Sequence, residues 1–255
     1  MELRDSALKA LCQQTWHAKA QWLQQLNAQT TLDAEREFLT PAGIPGRPPV
    51  EVVPPAQLGL RSVHTQEGRA ILIHALAHIE FNAINLALDV IWRFAKMPAQ
   101  FYYDWLTVAQ EECEHFRLLQ EHLKTLGYQY GDFSGHDGLW EMAERTEGDA
   151  LARLALVPRT LEARGLDASP AVRHKLASGG DPAGAAIIDI ILRDEIGHVG
   201  VGNHWYRWLC AQRGLDPLTT YDVLAKTYRA PKLKGPFNIE ARLAAGFDAE
   251  EIARL

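Results

Sequence analysis

The sequence predicts an all-α protein built around four long helices, and three observations lead to this. Helical patterns cover residues 67–95, 99–126, about 139–164 and 183–213. Helix-ending residues follow these patterns: Pro98 after the first, then Gly127, Gly165 and Gly214. No segment shows the strict polar–apolar alternation of a half-buried strand. Because few residues separate the first two patterns, we expect those helices to pack antiparallel.

Shorter elements flank the predicted bundle. Residues 3–28 show a helical pattern, and a proline-rich stretch follows that contains Pro41, Pro45, Pro48, Pro49, Pro54 and Pro55. Proline fixes φ and removes a donor, so this stretch is an extended arm that wraps the main body, or else a disordered linker. Ser169-Pro170 can start a short helix to about Ser178, and short helices follow in the tail. The predicted organisation is an N-terminal helix and arm (1–66), a bundle (67–214) and a C-terminal extension (215–255).

Composition restricts the class of protein. The chain has 255 residues, 47% of them hydrophobic, which is enough for a sizeable core. Its net charge of -6 argues against sequence-independent binding of nucleic acid, although it allows a local basic patch. Cys12, Cys113 and Cys210 are far apart and predict reduced thiols. The charged N-terminus and the lack of an apolar run of about 20 residues lead us to expect a cytoplasmic protein with no membrane partner.

Two predicted helices carry one repeated pattern, acid-Glu-x-x-His. The two copies are Glu111-Glu112-x-x-His115 and Asp194-Glu195-x-x-His198. Residues three apart share a helix face, so the Glu and His of each copy can bind one ion together. Each copy alone arises easily by chance, but an acid before both makes the pair specific. Two Glu-x-x-His motifs, with one Glu from each of the other two helices, form the ligand set of di-iron carboxylate bundles.

The other two helices must supply the remaining carboxylates. Glu80 lies about 17 residues before the first turn and Glu112 about 15 after it, which places them at nearly the same height in a hairpin. The third helix offers Glu141, Glu144, Glu147 and Glu162. Height along the bundle favours Glu147 if that helix ends at Gly165, and Glu162 if it continues, so spacing alone leaves both open.

The acids and histidines near these motifs also have predicted roles. A metal-bound imidazole usually donates its other N–H to a carboxylate. Asp194 is therefore predicted to accept this hydrogen bond from His115, and Glu111 to accept it from His198. The alternative is that both acids face solvent. Mixed nitrogen and carboxylate ligands suit iron best, with manganese as an alternative. His74 and His78 are predicted to be packing residues, because they point away from the Glu80 face, and His122 is predicted to be a hydrogen-bonded core histidine.

Several segments resemble an uncharacterised bacterial family of ferritin-like proteins that is catalogued as a domain of unknown function. They include His74–Glu80, Asp104-Trp105, Tyr130–Asp132, His136–Trp140, Leu161–Asp167 and Asp194–Asn203. This resemblance implies a ferritin-like four-helix bundle with two metal ions. The chain is more distantly similar to the di-iron tRNA hydroxylases, in which a Glu-Ala-Arg segment supplies a ligand. Glu162-Ala-Arg164 looks like that segment, so the likeness favours Glu162.

These inferences combine into one predicted function. The chain is expected to be an oxygen-activating di-iron or di-manganese oxidoreductase, a hydroxylase or an oxidase. Its six ligands would be Glu80, Glu112, His115, Glu162, Glu195 and His198. Its substrate, small or macromolecular, is not identified, electrons would come from a separate reductase, and a homodimer is compatible with the sequence. The alternatives are an iron-handling or peroxide-scavenging protein and a metal-free helical binding module.

Overall fold

The structure, a computed structural model, describes residues 1–54, 57 and 62–255. Its helices are α1 (Leu3–Leu11), α2 (Trp16–Leu23), α3 (Gln66–Arg93), α4 (Ala99–Thr125), α5 (Gly138–Arg145), α6 (Ala150–Leu156), a π-helix (Val157–Glu162), α7 (Ala163–Ser178), α8 (Pro182–Gln212), α9 (Pro217–Thr227), α10 (Ile239–Ala244) and α11 (Ala249–Ala253). No β-strand occurs in these described ranges, which confirms the all-α class. Part of the predicted arm, Pro55 included, lies outside the described residues.

The chain divides into two compact units. The first contains Met1–Gly138 and Gly179–Gly184, and the second contains Leu139–Ser178 and Ala185–Leu255. Helices α1 to α4 therefore belong to the first unit, whereas α6, α7, α9, α10 and α11 belong to the second. The three-part division predicted from the sequence differs from these units and stays a prediction.

Helices α3 and α4 form the predicted hairpin of the first unit. Thr65 caps α3 by accepting a hydrogen bond from Gly68 N at 3.0 Å. At the other end the chain leaves the helix at Phe94, turns through Lys96 with φ of 64°, and restarts after Pro98. Ile84 of α3 and Leu106 of α4 are both buried in the core of this unit.

A buried arginine closes the C-terminal end of α3. Arg4 of α1 has no exposed surface, and its guanidinium donates to Ile91 O at 3.2 Å and Trp92 O at 2.7 Å. Both acceptors are carbonyls of the last turn of α3, and the carbonyls of a last turn have no hydrogen-bond partners within the helix. A cation is also favourable at this end of a helix, because the helix dipole is negative there. The sequence predicts a single helix over residues 3–28, but the structure has two. Helix α1 ends before Cys12, and α2 begins after Thr15, which caps it.

Two histidines of α3 attach the connection that follows α4. His74 Nε2 accepts a hydrogen bond from Gly131 N at 3.0 Å, and His78 contacts Tyr130 Oη at 2.8 Å and His136 O at 3.2 Å. A Cβ at Gly135 would lie 2.6 Å from the His78 ring, so the connection can approach this closely only with glycine there. His74 and His78 are thus packing residues, as predicted.

Helix α3 corrects one expectation from the sequence. By length and composition alone it could cross a membrane, although no sufficiently long apolar run was expected. In the structure 72% of its most apolar window is buried inside the protein. Burial on all sides explains the composition, because a helix packed against α1 and α4 has little surface left for polar residues.

The third long helix of the prediction is instead an interrupted series in the second unit. It breaks after α5, where Asp149 caps α6 through Leu151 N at 3.0 Å. It then continues beyond Gly165, and Pro170 lies inside α7, so the predicted stop and the separate short helix were wrong. Ser169 Oγ donates to Gly165 O at 2.7 Å, four residues back. A Cβ at Gly165 would meet open space and Pro170 lies in the middle of α7, so neither residue ends this helix.

The π-helix Val157–Glu162 widens the backbone between α6 and α7. Pro158 at its start has no N–H to continue an α-helical ladder. Thr160 Oγ1 donates to Ala155 O, five residues back, at 2.7 Å. Gly202 of α8 packs on Pro158 so closely that a Cβ would lie 2.6 Å from the proline ring. Helical periodicity does not reveal such a segment, although a proline inside a helical pattern is a signal for a local irregularity.

Candidate metal centre

The first unit brings two carboxylates and one imidazole together in its core. Glu80 comes from the middle of α3, and Glu112 and His115 lie one turn apart on α4. His115 Nδ1 lies 3.4 Å from Glu80 Oε2 and 3.4 Å from Glu112 Oε2. Their ligand atoms lie within 4.8 Å of one another. The hairpin therefore places Glu80 and Glu112 at one height, as their distances from the turn predicted.

These three side chains are almost completely hidden from solvent. The exposed fraction is 5% for Glu80, 1% for Glu112 and 0% for His115. Burial, followed by repulsion from Glu112, raises the pKa of Glu80 well above the usual range of a carboxyl. Burial opposes the charge of His115, but its contacts with Glu112 and Glu80 outweigh that and raise its pKa. The cluster thus has a strong requirement for positive charge.

The donor set fits a metal ion. Apart from the 3.4 Å contact with His115, Glu80 Oε2 has no hydrogen-bond partner among the described residues, although it is buried. A buried carboxylate oxygen in this state is costly unless a proton or a cation joins it. Carboxylate oxygens and an imidazole nitrogen suit iron and manganese. The group can therefore hold a metal ion.

The second unit carries the other Glu-x-x-His motif with matching geometry. Glu195 and His198 lie on α8, and His198 Nδ1 is 3.4 Å from Glu195 Oε1. Both side chains are buried, with exposed fractions of 7% and 1%. The same Nδ1–Oε distance occurs in both motifs, because the i, i+3 spacing directs both side chains to one face.

The two candidates for the third-helix carboxylate differ in burial. Glu147 lies exposed in the turn between α5 and α6, whereas Glu162 is half-buried at the end of the π-helix, with its Oε2 shielded from solvent. The exposed position argues against Glu147 as a ligand. It leaves Glu162 as the better candidate, in agreement with the resemblance.

One acid precedes the Glu-x-x-His residues in each motif. Glu111 and Asp194 are both partly buried, and Asp194 accepts hydrogen bonds from Arg193 Nε at 2.7 Å and Nη2 at 3.0 Å. Their predicted contact with the imidazoles stays a prediction.

His122 lies two turns after His115 on α4 and has a different role. Its Nε2 is 2.8 Å from Asp181 Oδ2, and Asp181 Oδ1 accepts a hydrogen bond from Gly184 N at 2.8 Å. His122 is thus a hydrogen-bonded core residue, as predicted. No spacing pattern in the sequence indicates the pairing of Asp181 with His122.

Comparison with known proteins confirms the resemblance to an uncharacterised family. The profile of a family described as "Protein of unknown function (DUF455)" matches residues 4–253. A Haemophilus influenzae protein, described as uncharacterized, is 53% identical over 208 residues, which are 79% of this chain and 72% of that protein. No solved structure matches the chain significantly. With a match over nearly its whole length, the chain belongs to the DUF455 family.

Proposed function

We propose that this protein binds two metal ions and is an oxygen-dependent oxidoreductase. One observation carries the proposal: Glu80, Glu112 and His115 are buried together, with ligand atoms within 4.8 Å of one another. Two carboxylates in such a place repel each other and lose their hydration. A divalent cation removes both penalties, whereas a metal-free binding module would have to keep these groups protonated or paired with charged His115.

The complete ligand set of the proposal has six members. They are Glu80, Glu112 and His115 from the first unit, and Glu162, Glu195 and His198 from the second. The support for the second half is the repeated Glu-x-x-His motif, its matching 3.4 Å geometry and its burial. Each ion would then have one Glu-x-x-His pair and a share of the carboxylates, which is the arrangement of ferritin-like bundles.

Iron is the proposed metal, and manganese is the alternative. When bound, two such ions supply the redox chemistry by which dioxygen is activated. The chain's own residues fix the ligands and keep water away, since Ile84 and Leu106 in the first unit and Ile188 and Ile191 in the second are buried. The described cysteines are free and far apart in sequence, so electrons are proposed to come from a separate reductase.

A matched pair of substitutions on α4 tests the metal site. Glu112→Gln keeps the size of the buried side chain but removes its charge, and Glu114→Gln makes the same change at an exposed residue that pairs with Arg117. Removal of a side chain that only hydrogen-bonds to a metal ligand weakens metal binding about 10–100-fold. Because Glu112 is proposed to be a ligand itself, Glu112→Gln should weaken metal binding by about 100-fold or more. Glu114→Gln should keep the wild-type metal content.

Metal content measured by plasma mass spectrometry, after loading with Fe(II) without oxygen, distinguishes the outcomes. Circular dichroism of both variants establishes that they are folded. Equal iron in folded Glu112→Gln and in Glu114→Gln would contradict the assignment of Glu112 as a ligand. Consumption of dioxygen by the loaded wild type, with none by Glu112→Gln, is the result expected of an oxidoreductase.

A further inference from the structure

The second unit contains a cavity with two buried arginines in its wall. Its volume is about 110 Å³, and its lining includes Arg159 of the π-helix, Tyr221 of α9, Arg242 of α10 and Phe247. The side chains of Arg159 and Arg242 are 4% and 0% exposed. Arginine stays charged in proteins, so burial of two guanidinium groups at one cavity requires an explanation.

Each guanidinium is only partly satisfied. Arg242 pairs with both carboxylate oxygens of Asp167, through Nε at 2.9 Å and Nη2 at 2.6 Å. Arg159 pairs through Nη2 with Glu251, which also accepts from Arg207. Within the described part of the chain, Nη1 of Arg242 and both Nε and Nη1 of Arg159 have no hydrogen-bond partner. These nitrogens can only donate, so an acceptor is the group that would complete them.

Aromatic rings hold the two guanidinium groups in place. The ring centre of Phe247 lies 5.1 Å from Cζ of Arg159 and 5.2 Å from Cζ of Arg242. The ring centres of Tyr206 and Tyr221 also lie close to Cζ of Arg159, at 4.7 Å and 5.4 Å. Stacking of this kind fixes the positions of the planar groups. The arginines are thus positioned before any ligand arrives.

The rest of the wall is mainly apolar. Leu218 and Leu233 line the cavity beside Tyr221 and Phe247. Glu251, whose carboxylate is already paired with Arg159, is a further part of the wall, and exposed Asp222 and Arg254 place part of it at the protein surface. A free phosphate would leave the leucines without a partner. An engineered closed cavity of about 150 Å³ holds benzene, so this cavity, which is open at the surface, suits a ligand whose apolar body is no larger than a benzene ring.

We propose that this cavity is a binding site for a small organic carboxylate with an apolar body. The carboxylate accepts hydrogen bonds from the unpartnered N–H groups of Arg159 and Arg242, and the apolar part lies against Leu218 and Leu233. Arginine and carboxylate groups match in geometry and charge. The site lies entirely within the second unit and does not depend on the proposed metal centre.

Calorimetric titration of the full chain with benzoate tests this site. Benzoate should bind saturably with one site per chain, and benzamide, which has the same ring without the charge, should bind at least 10-fold more weakly. Inorganic phosphate should bind at least 10-fold more weakly than benzoate. The titration is repeated with a chelator, because a carboxylate could also bind to a metal ion, and the affinity should not change.

Two leucine substitutions provide a matched comparison that leaves both buried arginines intact. Leu233 is a half-buried residue of the cavity wall, so the larger side chain of Leu233→Trp should fill the cavity. Leu243→Trp makes the same change at an exposed residue of α10 that does not line the cavity. Leu233→Trp should weaken benzoate binding at least 10-fold, and Leu243→Trp should not change it. Absence of benzoate binding to the wild type, loss of binding with chelator, equal affinity for benzamide or phosphate, or unchanged binding by folded Leu233→Trp would each overturn the proposal.

Discussion

At the scale of single residues, buried charge determines how the core of the first unit behaves. Glu80, Glu112 and His115 lie together in a place where charged groups are costly without partners. Such a cluster is poorly explained as a device for stability, because apolar residues of similar size would fill the space at lower cost. A function that uses these side chains as metal ligands would account for the cluster, and this is why the proposal begins there.

The pKa of buried His74 gives a prediction for acid sensitivity. Burial, with a smaller effect from His78, lowers this pKa from 6.5 to about 4. A histidine whose pKa is lowered by folding favours the folded state above pH 6.5, and this contribution is lost as the pH falls toward 4. His74→Gln should therefore reduce the loss of unfolding free energy between pH 6.5 and 4, by on the order of 2 kcal/mol.

The measurement is urea unfolding at a series of pH values, with a chelator present so that metal binding does not contribute. Glutamine can still accept a hydrogen bond from Gly131 N, which His74 accepts in the structure. His174→Gln on the exposed surface of α7 is the control and should keep the wild-type pH dependence. If the unfolding free energy of His74→Gln fell with pH as steeply as that of the wild type, His74 would not be the group that causes the acid sensitivity.

At the scale of elements, the close contact between α8 and the π-helix gives a second prediction. Gly202→Ala would place a Cβ 2.6 Å from Pro158, whereas a Cβ at Gly197 on the same helix would meet nothing within 4 Å. Gly202→Ala should lower the unfolding free energy by about 1–3 kcal/mol through overpacking. Gly197→Ala should raise it by about 0.4–1 kcal/mol, because alanine favours the helix.

Thermal or denaturant unfolding of both variants gives the comparison. If Gly202→Ala were as stable as Gly197→Ala, the tight packing of α8 on Pro158 would be contradicted. Iron content of both variants, measured in parallel, would show whether the π-helix that ends at Glu162 must be packed for metal to bind.

The elements also show what the sequence can and cannot reveal. Helices α3 and α4 were predicted to within two residues at each end, because Pro98 and Gly127 are clear boundary signals. The helix boundaries between α5 and α7 were predicted wrongly, because Gly165 and Pro170 resemble helix stops but lie inside α7. Whether a glycine or proline ends a helix depends on the packing around it, which a single sequence does not contain.

The candidate site shows the same limit. The i, i+3 spacing and the symmetric distances of Glu80 and Glu112 from the turn predicted the convergence in the first unit. The choice between Glu147 and Glu162 required burial, which follows from the break at Asp149 and the π-helix. The partly satisfied arginines of the second unit had no sequence signal, because Arg159 and Arg242 are far apart in the chain and belong to no spacing motif.

At the scale of the whole molecule, metal binding should couple to stability. A ligand that binds only the folded state stabilises it by about 2.7 kcal/mol at a concentration 100 times its Kd. Fe(II) or Mn(II) added without oxygen should therefore raise the Tm of the wild type by several degrees. Glu112→Gln should show no such shift, and the Tm is measured by calorimetry.

The pH dependence of that shift follows from Glu80. Its raised pKa means that this carboxyl holds a proton below its folded-state pKa, and a metal ion must displace that proton. Metal binding and the accompanying shift in Tm should therefore weaken as the pH falls from 8 to 6. A shift that is larger at pH 6 than at pH 8 would argue against Glu80 as a ligand.

The number of metal ions per chain tests the central claim most directly. Protein loaded with excess Fe(II) without oxygen, passed through a desalting column and measured by plasma mass spectrometry should contain about two ions per chain, the number that two Glu-x-x-His motifs with shared carboxylates would hold. One ion per chain would contradict the dinuclear proposal. No ion, with Mn(II) loading also failing, would show that the buried carboxylate and histidine residues form no metal centre.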